Sequence, residues 1–95
     1  MVEHMSAEHT PAVTIYTTDS CVFCLRAKEY LSAKGVTYEE VDVTGDAGAR
    51  ARLVERANGQ RTVPQIFVGD VPIGGYTDLV ALDRAGKLQP LLKAS

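Results

Sequence analysis

Tryptophan is absent from this 95-residue chain, and cysteine occurs only twice. Two closely spaced cysteines cannot make the multi-bridge framework that holds small secreted domains together, so an apolar core must do that work. Neither sign of charge dominates: Lys and Arg number 10 against 12 Asp and Glu, for a net charge of -2. Such a balance gives no electrostatic footprint for nucleic acid or an anionic membrane. No apolar run approaches the roughly 18 residues of a membrane span. The first eleven residues are polar and lack the apolar stretch of a secretory signal. The expectations are a cytoplasmic protein with no nucleic-acid or membrane partner. Histidine is scarce too. His4 and His9 both fall in residues 1–11, read as a disordered tail ahead of one domain over 12–95. A structural zinc needs four ligands at set spacings, and two cysteines with two tail histidines do not supply that pattern, so no metal is expected.

What the chain does have is regular alternation between strand and helix patterns. Val13 to Tyr16 alternates and is β-branched, which predicts a short strand. From Val22 to Lys34, Cys24, Ala27 and Leu31 recur at helical spacing, with Leu25 alongside, and Gly35 supplies the stop. Val36 to Val43 alternates again. A second helix runs from about Ala47 to Ala57, burying Ala49, Leu53, Val54 and Ala57. Gln65–Val68 and Val71–Ile73 flank Gly69-Asp70, a good hairpin turn, and Pro72 demands an edge strand. Thr77 or Asp78 then caps a helix running to Gly86, and Leu88, Leu91 and Leu92 mark a last helical piece. The order β-α-β-α-β-β-α predicts an α/β fold: a mixed four-stranded sheet flanked by helices, its first two strands parallel.

The two cysteines, Cys21 and Cys24, fall where the first strand gives way to the first helix. Residues three apart on a helix have Cβ atoms about 5–6 Å apart. A disulfide needs about 3.5–4.5 Å. A small adjustment closes that gap, which favours a pair that cycles between dithiol and disulfide. A free thiol with a pKa near 8.5 is only about 3% thiolate at pH 7, and only the thiolate attacks. Cys21, at the first turn, meets unpaired N–H groups and the positive end of the helix dipole. Cys24 sits one turn further in. The asymmetry assigns Cys21 as nucleophile and Cys24 as resolving thiol. A lowered pKa at Cys21 gains little in attack, because nucleophilicity falls as thiolate fraction rises, but it makes Cys21 a better leaving group. That favours exchange with a small thiol.

Two further segments stand out. In Arg61-Thr62-Val63-Pro64 the proline pushes Val63 toward an extended conformation, leaving its N–H and C=O free to pair with a peptide. From the dipeptide alone, an ordinary proline turn ahead of a strand explains the residues better. Gly74-Gly75-Tyr76-Thr77-Asp78 joins a strand to a helix start. The helix N-terminus suits a carboxylate and Asp78 an ammonium, so an α-amino acid head group fits. A glycine turn followed by a helix cap explains the same residues equally well.

Taken together, these segments are recognisable. The chain resembles a glutaredoxin, of the small bacterial dithiol type, over about Val13 to Leu92. The resemblance rests on Ile-Tyr-Thr, Cys-Val-Phe-Cys, Arg-Thr-Val-Pro-Gln-Ile-Phe-Val and Ile-Gly-Gly-Tyr-Thr-Asp-Leu, in that order. It implies a thioredoxin fold with Pro64 cis and packed beside Cys21. It implies a glutathione-dependent thiol–disulfide oxidoreductase, with glutathione as co-substrate and a reductase recycling it. Glutathione would lie in a groove formed by Thr18, Phe23, Arg61, Thr62, Val63, Pro64, Gly75, Tyr76, Thr77 and Asp78. Its cysteine would pair with the Val63 backbone, its γ-glutamyl head would meet Thr77 and Asp78, and its glycine carboxylate would meet a basic residue. Disulfide or glutathionylated proteins are the implied substrates, ribonucleotide reductase among them, and the protein is taken to act as a monomer.

Three departures from the family pattern matter. Val22-Phe23 replaces the usual Pro-Tyr between the cysteines, which removes a rigid helix start and a phenolic hydroxyl. Thr18 replaces a lysine that many relatives carry, leaving Arg61, or more weakly Arg52, to meet the glutathione carboxylate. Tyr76 replaces the third cysteine of many relatives. The missing proline also opens a second reading. Some glutaredoxins without it hold a [2Fe–2S] cluster between two subunits through the first cysteine of each and two glutathiones, although this chain lacks the Cys-Gly-Phe-Ser motif of the cluster carriers.

Overall fold

The computed structural model describes residues 11–93. The tail assignment, with His4 and His9, lies outside the described residues except for Pro11. The elements are β1 (Val13–Thr17), α1 (Val22–Ala33), β2 (Tyr38–Asp42), α2 (Ala47–Arg56), β3 (Gln65–Val68), β4 (Val71–Gly74), α3 (Tyr76–Arg84) and α4 (Leu88–Lys93). The sheet order is β2-β1-β3-β4. β1 pairs parallel with β2 and antiparallel with β3, and β4 closes the hairpin on β3. Pro72 therefore lies on an edge strand, where its missing N–H breaks no central ladder.

Side-chain alternation divides the core between two sheet faces. Val13, Ile15, Ile66 and Val68 pack against Ala27 and Leu31 of α1, Leu79 of α3 and Leu88 of α4. Phe67, pointing the other way from its neighbours, packs with Val43 and with Leu53 and Ala57 of α2. All four residues of β3 are buried because helices cover both its faces. Arg56 roofs the α2 side, its guanidinium carbon 4.2 Å from the Phe67 ring centroid and its Nη1 donating to the Tyr16 hydroxyl at 2.8 Å.

Two local expectations need correcting. Leu25 is 53% exposed rather than part of the apolar face, because it follows Cys24 on the helix and points across the stripe formed by Cys24, Ala27 and Leu31. β2 starts at Tyr38, not Val36. The Val36 N–H instead bonds the Leu31 carbonyl at 2.9 Å around Gly35, whose φ of 73° ends α1 in a Schellman turn.

Two polar braces tie the elements together. Thr17 Oγ1 donates to Glu40 Oε2 at 2.7 Å, and Lys28 Nζ lies 3.1 Å from the same oxygen. The Tyr30 hydroxyl donates to Asp83, which Lys34 also meets at 2.9 Å. The Thr17 hydroxyl, and after it Lys28, holds Glu40 below its ordinary value of 4.5. The Tyr30 hydroxyl, and after it Lys34, holds Asp83 below 3.8. A carboxylate lowered by folding stabilises the fold above its unfolded value and loses that contribution as pH falls through the folded value. Acidification below about pH 4.5 should therefore lower the urea midpoint more steeply in the wild type than in a Glu40→Gln/Asp83→Asn double variant. Parallel acid limbs in the two proteins would show that these braces contribute nothing to pH dependence.

Candidate active site

The loop between β1 and α1 is held from outside. The Asp19 N–H donates to Thr44 Oγ1 at 2.8 Å, and the Thr44 hydroxyl donates to Asp19 Oδ1 at 3.0 Å. Ser20 adopts a left-handed φ of 59°, uncommon for a residue with a side chain. The chain then enters α1 with Cys21 as the N-cap, one position before the first turn where it was expected. The Cys21 sulfur takes the part of a capping oxygen: the Cys24 N–H donates to Sγ at 3.1 Å. Charge on that sulfur thus has a donor already in place.

The same turn buries Cys24, at 2% exposure, while Cys21 is half-buried. Burial above all, and then the hydrogen bond with Cys21, pushes the Cys24 thiol up to about 12. Both thiols are free. The helix start thus presents one reachable sulfur with a backbone donor and keeps its neighbour covered and protonated.

The second segment comes to the first from the far side of the sequence. The Val63–Pro64 peptide is cis, and Pro64 is buried. Gln65 Nε2 donates to the Thr62 carbonyl at 3.0 Å and to Thr62 Oγ1 at 3.2 Å, which secures the residue before Val63. The Val63 carbonyl faces α1, and the Cys21 thiol donates to it at 3.8 Å.

A groove of about 530 Å³ runs from this point along Thr62, Val63 and Pro64 to Gly74–Asp78. One wall is aromatic. Phe23 stacks on Tyr76 at 6.1 Å between centroids, and Tyr30 meets Tyr76 edge-on at 6.3 Å. At the far end α3 begins with Gly75 as its N-cap, correcting the assignment of that cap to Thr77 or Asp78. Glycine offers no side chain, so none caps the first N–H groups of α3. Asp78 sits three residues in and reaches back, its Oδ2 accepting from the Gly75 N–H at 2.9 Å.

The groove gathers Phe23, Thr62, Val63, Pro64, Gly75, Tyr76, Thr77 and Asp78. Thr18 lies instead with Cys21 and Cys24 around an adjoining hollow. Arg61 is exposed and lines neither, its carbonyl accepting from Arg50 Nη2 at 3.1 Å. Arg52 lies elsewhere, along Tyr16, Val41 and Leu53. Among the described residues, Asp78 is the one charged side chain that lines the groove. Sequence reading missed Asn58, Gln60 and Ile73, which also line it. The polar run Asn58-Gly59-Gln60 ahead of Arg61 was a usable signal, since it follows a helix end and precedes the proline turn.

Comparison with known proteins agrees with this geometry. The sequence model of the Glutaredoxin family matches residues 13–73. A glutaredoxin of Pseudomonas aeruginosa is 50% identical over 84 residues, covering 88% of this chain and 99% of the relative. The solution structure of a glutaredoxin from Brucella melitensis superposes with a TM-score of 0.78 at 45% identity, covering 90% of this chain and 91% of that one. The crystal structure of a buckwheat glutaredoxin–glutathione complex superposes with a TM-score of 0.76 at 30% identity, covering 95% and 83%. The mixed sheet with its flanking helices is thus a thioredoxin fold, the dithiol at its first helix supports thiol–disulfide oxidoreductase chemistry, and the chain belongs to the glutaredoxin family.

Proposed function

We propose that the chain is a glutathione-dependent oxidoreductase that reduces protein disulfides and glutathione mixed disulfides. The observation that carries this reading is the meeting of the Cys21 sulfur, which lines the adjoining hollow, with the carbonyl of Val63, which lines the groove. A tripeptide disulfide-bonded to Cys21 would pair its cysteine backbone with that of Val63, in the manner of a one-residue strand addition. Its γ-glutamyl carboxylate would take the uncapped N–H groups of α3, and its ammonium would take Asp78. The buckwheat complex supports glutathione as the occupant.

In this reading the Cys21 thiolate attacks a substrate disulfide and forms a mixed disulfide. A glutathione thiolate then resolves a mixed disulfide with glutathione, whereas Cys24 resolves one with a protein. Glutathione and its reductase restore the dithiol. The reducing cytoplasm is the proposed compartment, and no helix among the described residues is long and apolar enough to cross a membrane. A glutathione-coupled assay on a small glutathione mixed disulfide tests the reading; turnover no faster than glutathione alone would end it.

The shortage of positive charge in the groove has a consequence. A lysine at position 18 would stand beside Cys21 and within the hollow that adjoins the groove. Thr18→Lys should lower KM for a glutathionylated substrate by about two- to fivefold, the worth of one exposed charge pair. An unchanged or higher KM would show that the glycine carboxylate is already met elsewhere.

A further inference from the structure

A second hollow, of about 340 Å³, opens beside the cysteine pair and shares no lining residue with the groove. Its walls include Cys21, Cys24 and Lys28, the turn at Asp19, and Glu40 and Asp42 of β2. Lys28 follows Cys24 by four positions on α1, so the two side chains share a face. The ammonium is gripped by both carboxylate oxygens of Glu40, at 3.2 and 3.1 Å. Glu40 is in turn fixed by the hydroxyl of buried Thr17 at 2.7 Å. Two adjacent strands thus brace a single cation at the edge of the hollow into which Cys24 faces. Ordering a lysine side chain costs conformational entropy, so such bracing asks for a purpose beyond solubility.

We propose that Lys28 is a positioning residue for the resolving step, its ammonium sustaining the Cys24 sulfur as that sulfur becomes the attacking thiolate. The inference rests on the roles given to the two cysteines above. In that step the Cys24 thiolate attacks Cys21 Sγ in a mixed disulfide. The bond from Cys21 to the outer sulfur breaks, the Cys21–Cys24 bond forms, and the electron pair leaves on the departing thiolate. The proton given up by Cys24 ends on that leaving thiol, so the step needs no outside oxidant or reductant.

The charges around Cys24 make Lys28 hard to replace. Cys21 lies on its N-terminal side, the Asp19 carboxylate comes from the β1–α1 loop, and Glu40 and Asp42 come from β2. The Tyr38 phenol, also on β2, acts on Lys28. Among the described residues, Lys28 is the one cation lining the hollow. Without it, a thiolate at Cys24 would keep the backbone hydrogen bond at Thr18, but every charged side chain lining the hollow would be negative. The Lys28 charge works against burial at the Cys24 thiol.

The size of the effect follows from two opposed terms. An opposite charge within about 4–6 Å lowers a pKa by about one unit at the small end of its range. At Cys24 the Lys28 charge is the smaller of two lowering influences, after the Thr18 backbone hydrogen bond, so about one unit is a ceiling. Losing Lys28 then cuts the thiolate fraction by at most about tenfold, while nucleophilicity rises by at most about threefold, for a net slowing of up to about threefold. The test mixes the reduced full-length chain with excess glutathione disulfide and follows products by acid quench and mass. The first phase puts glutathione on Cys21; the second releases it as the Cys21–Cys24 disulfide forms. Lys28→Gln should slow the second phase by up to about threefold, displacing the rising limb of its pH profile upward by up to about half a unit, and leave the first phase as in wild type. Lys28→Arg should restore both rate and profile. A second-phase profile that coincides with wild type, a slowing that Arg does not rescue, or an equal slowing of both phases would each overturn the proposal. Absence of the first phase in the wild type would instead overturn the functional reading, and the inference with it.

Discussion

Cys24→Ser should leave the reduction of a small glutathione mixed disulfide near the wild-type rate and abolish reduction of a protein disulfide, whereas Cys21→Ser should abolish both. The reason lies in which atoms each thiol supplies. Cys21 is the reachable sulfur, and serine at that position cannot form a disulfide bond at all. The donor that Cys24 gives to Cys21 Sγ is its backbone N–H, at 3.1 Å, so a serine side chain leaves it in place. What the serine removes is the second sulfur, which resolution of the protein mixed disulfide needs, whereas a mixed disulfide with glutathione is resolved by glutathione itself. Steady-state assays with the two substrate types separate the routes. Loss of both activities in Cys24→Ser, in a protein that still melts cooperatively, would refute the division of roles. Retention of both would show that glutathione resolves every mixed disulfide and that Cys24 is dispensable.

Gly74→Ala should damage the other end of the groove and the fold together. Gly74 has a φ of 110°, a conformation that side chains disfavour. A Cβ placed there would come 2.5 Å from Asp78 Oδ2 and 2.9 Å from its Cγ. The carboxylate would have to swing away, releasing the Gly75 N–H that it holds at 2.9 Å. Backbone strain of this kind costs about 1–3 kcal/mol. In the proposed reading, losing the Asp78 carboxylate as a partner for the γ-glutamyl ammonium removes a charge-assisted bond worth about 1.5–3 kcal/mol, so KM for a glutathionylated substrate should rise tenfold or more. Asp78→Asn separates the two effects. It keeps the size of the side chain and an oxygen for the Gly75 N–H, so it should raise KM with much less loss of stability. Urea titration and steady-state kinetics on the two variants provide the check. A Gly74→Ala protein with wild-type stability and KM would show that Asp78 neither caps α3 usefully nor binds the head group.

The order of elements was legible in the sequence because its signals are local. Period-two alternation marks β1, period 3.6 marks α1 and α2, and Gly69-Asp70 with Pro72 marks β3 and β4 as a hairpin on an edge. Errors came where a backbone group had two possible partners. Val36 looks like a strand residue by composition, but its N–H goes to Leu31 and closes α1. Asp78 looks like a cap, but with glycine at position 75 the helix starts earlier and the carboxylate bonds backward from inside the first turn. Arg61 illustrates a different limit. Its type suggests a carboxylate partner, yet type says nothing of which way an exposed loop side chain lies.

The sequence by itself determined that a dithiol would sit at the start of a helix, one sulfur outside and one a turn further in, because helix starts and their periodicity are written within a dozen residues. Only the tertiary structure decided that Cys21 meets Val63, 42 positions away, and that Cys24 shares a hollow with a lysine braced from two strands. Those contacts depend on how β1, β2 and β3 align and on which helix face closes over them, and no local propensity carries that information.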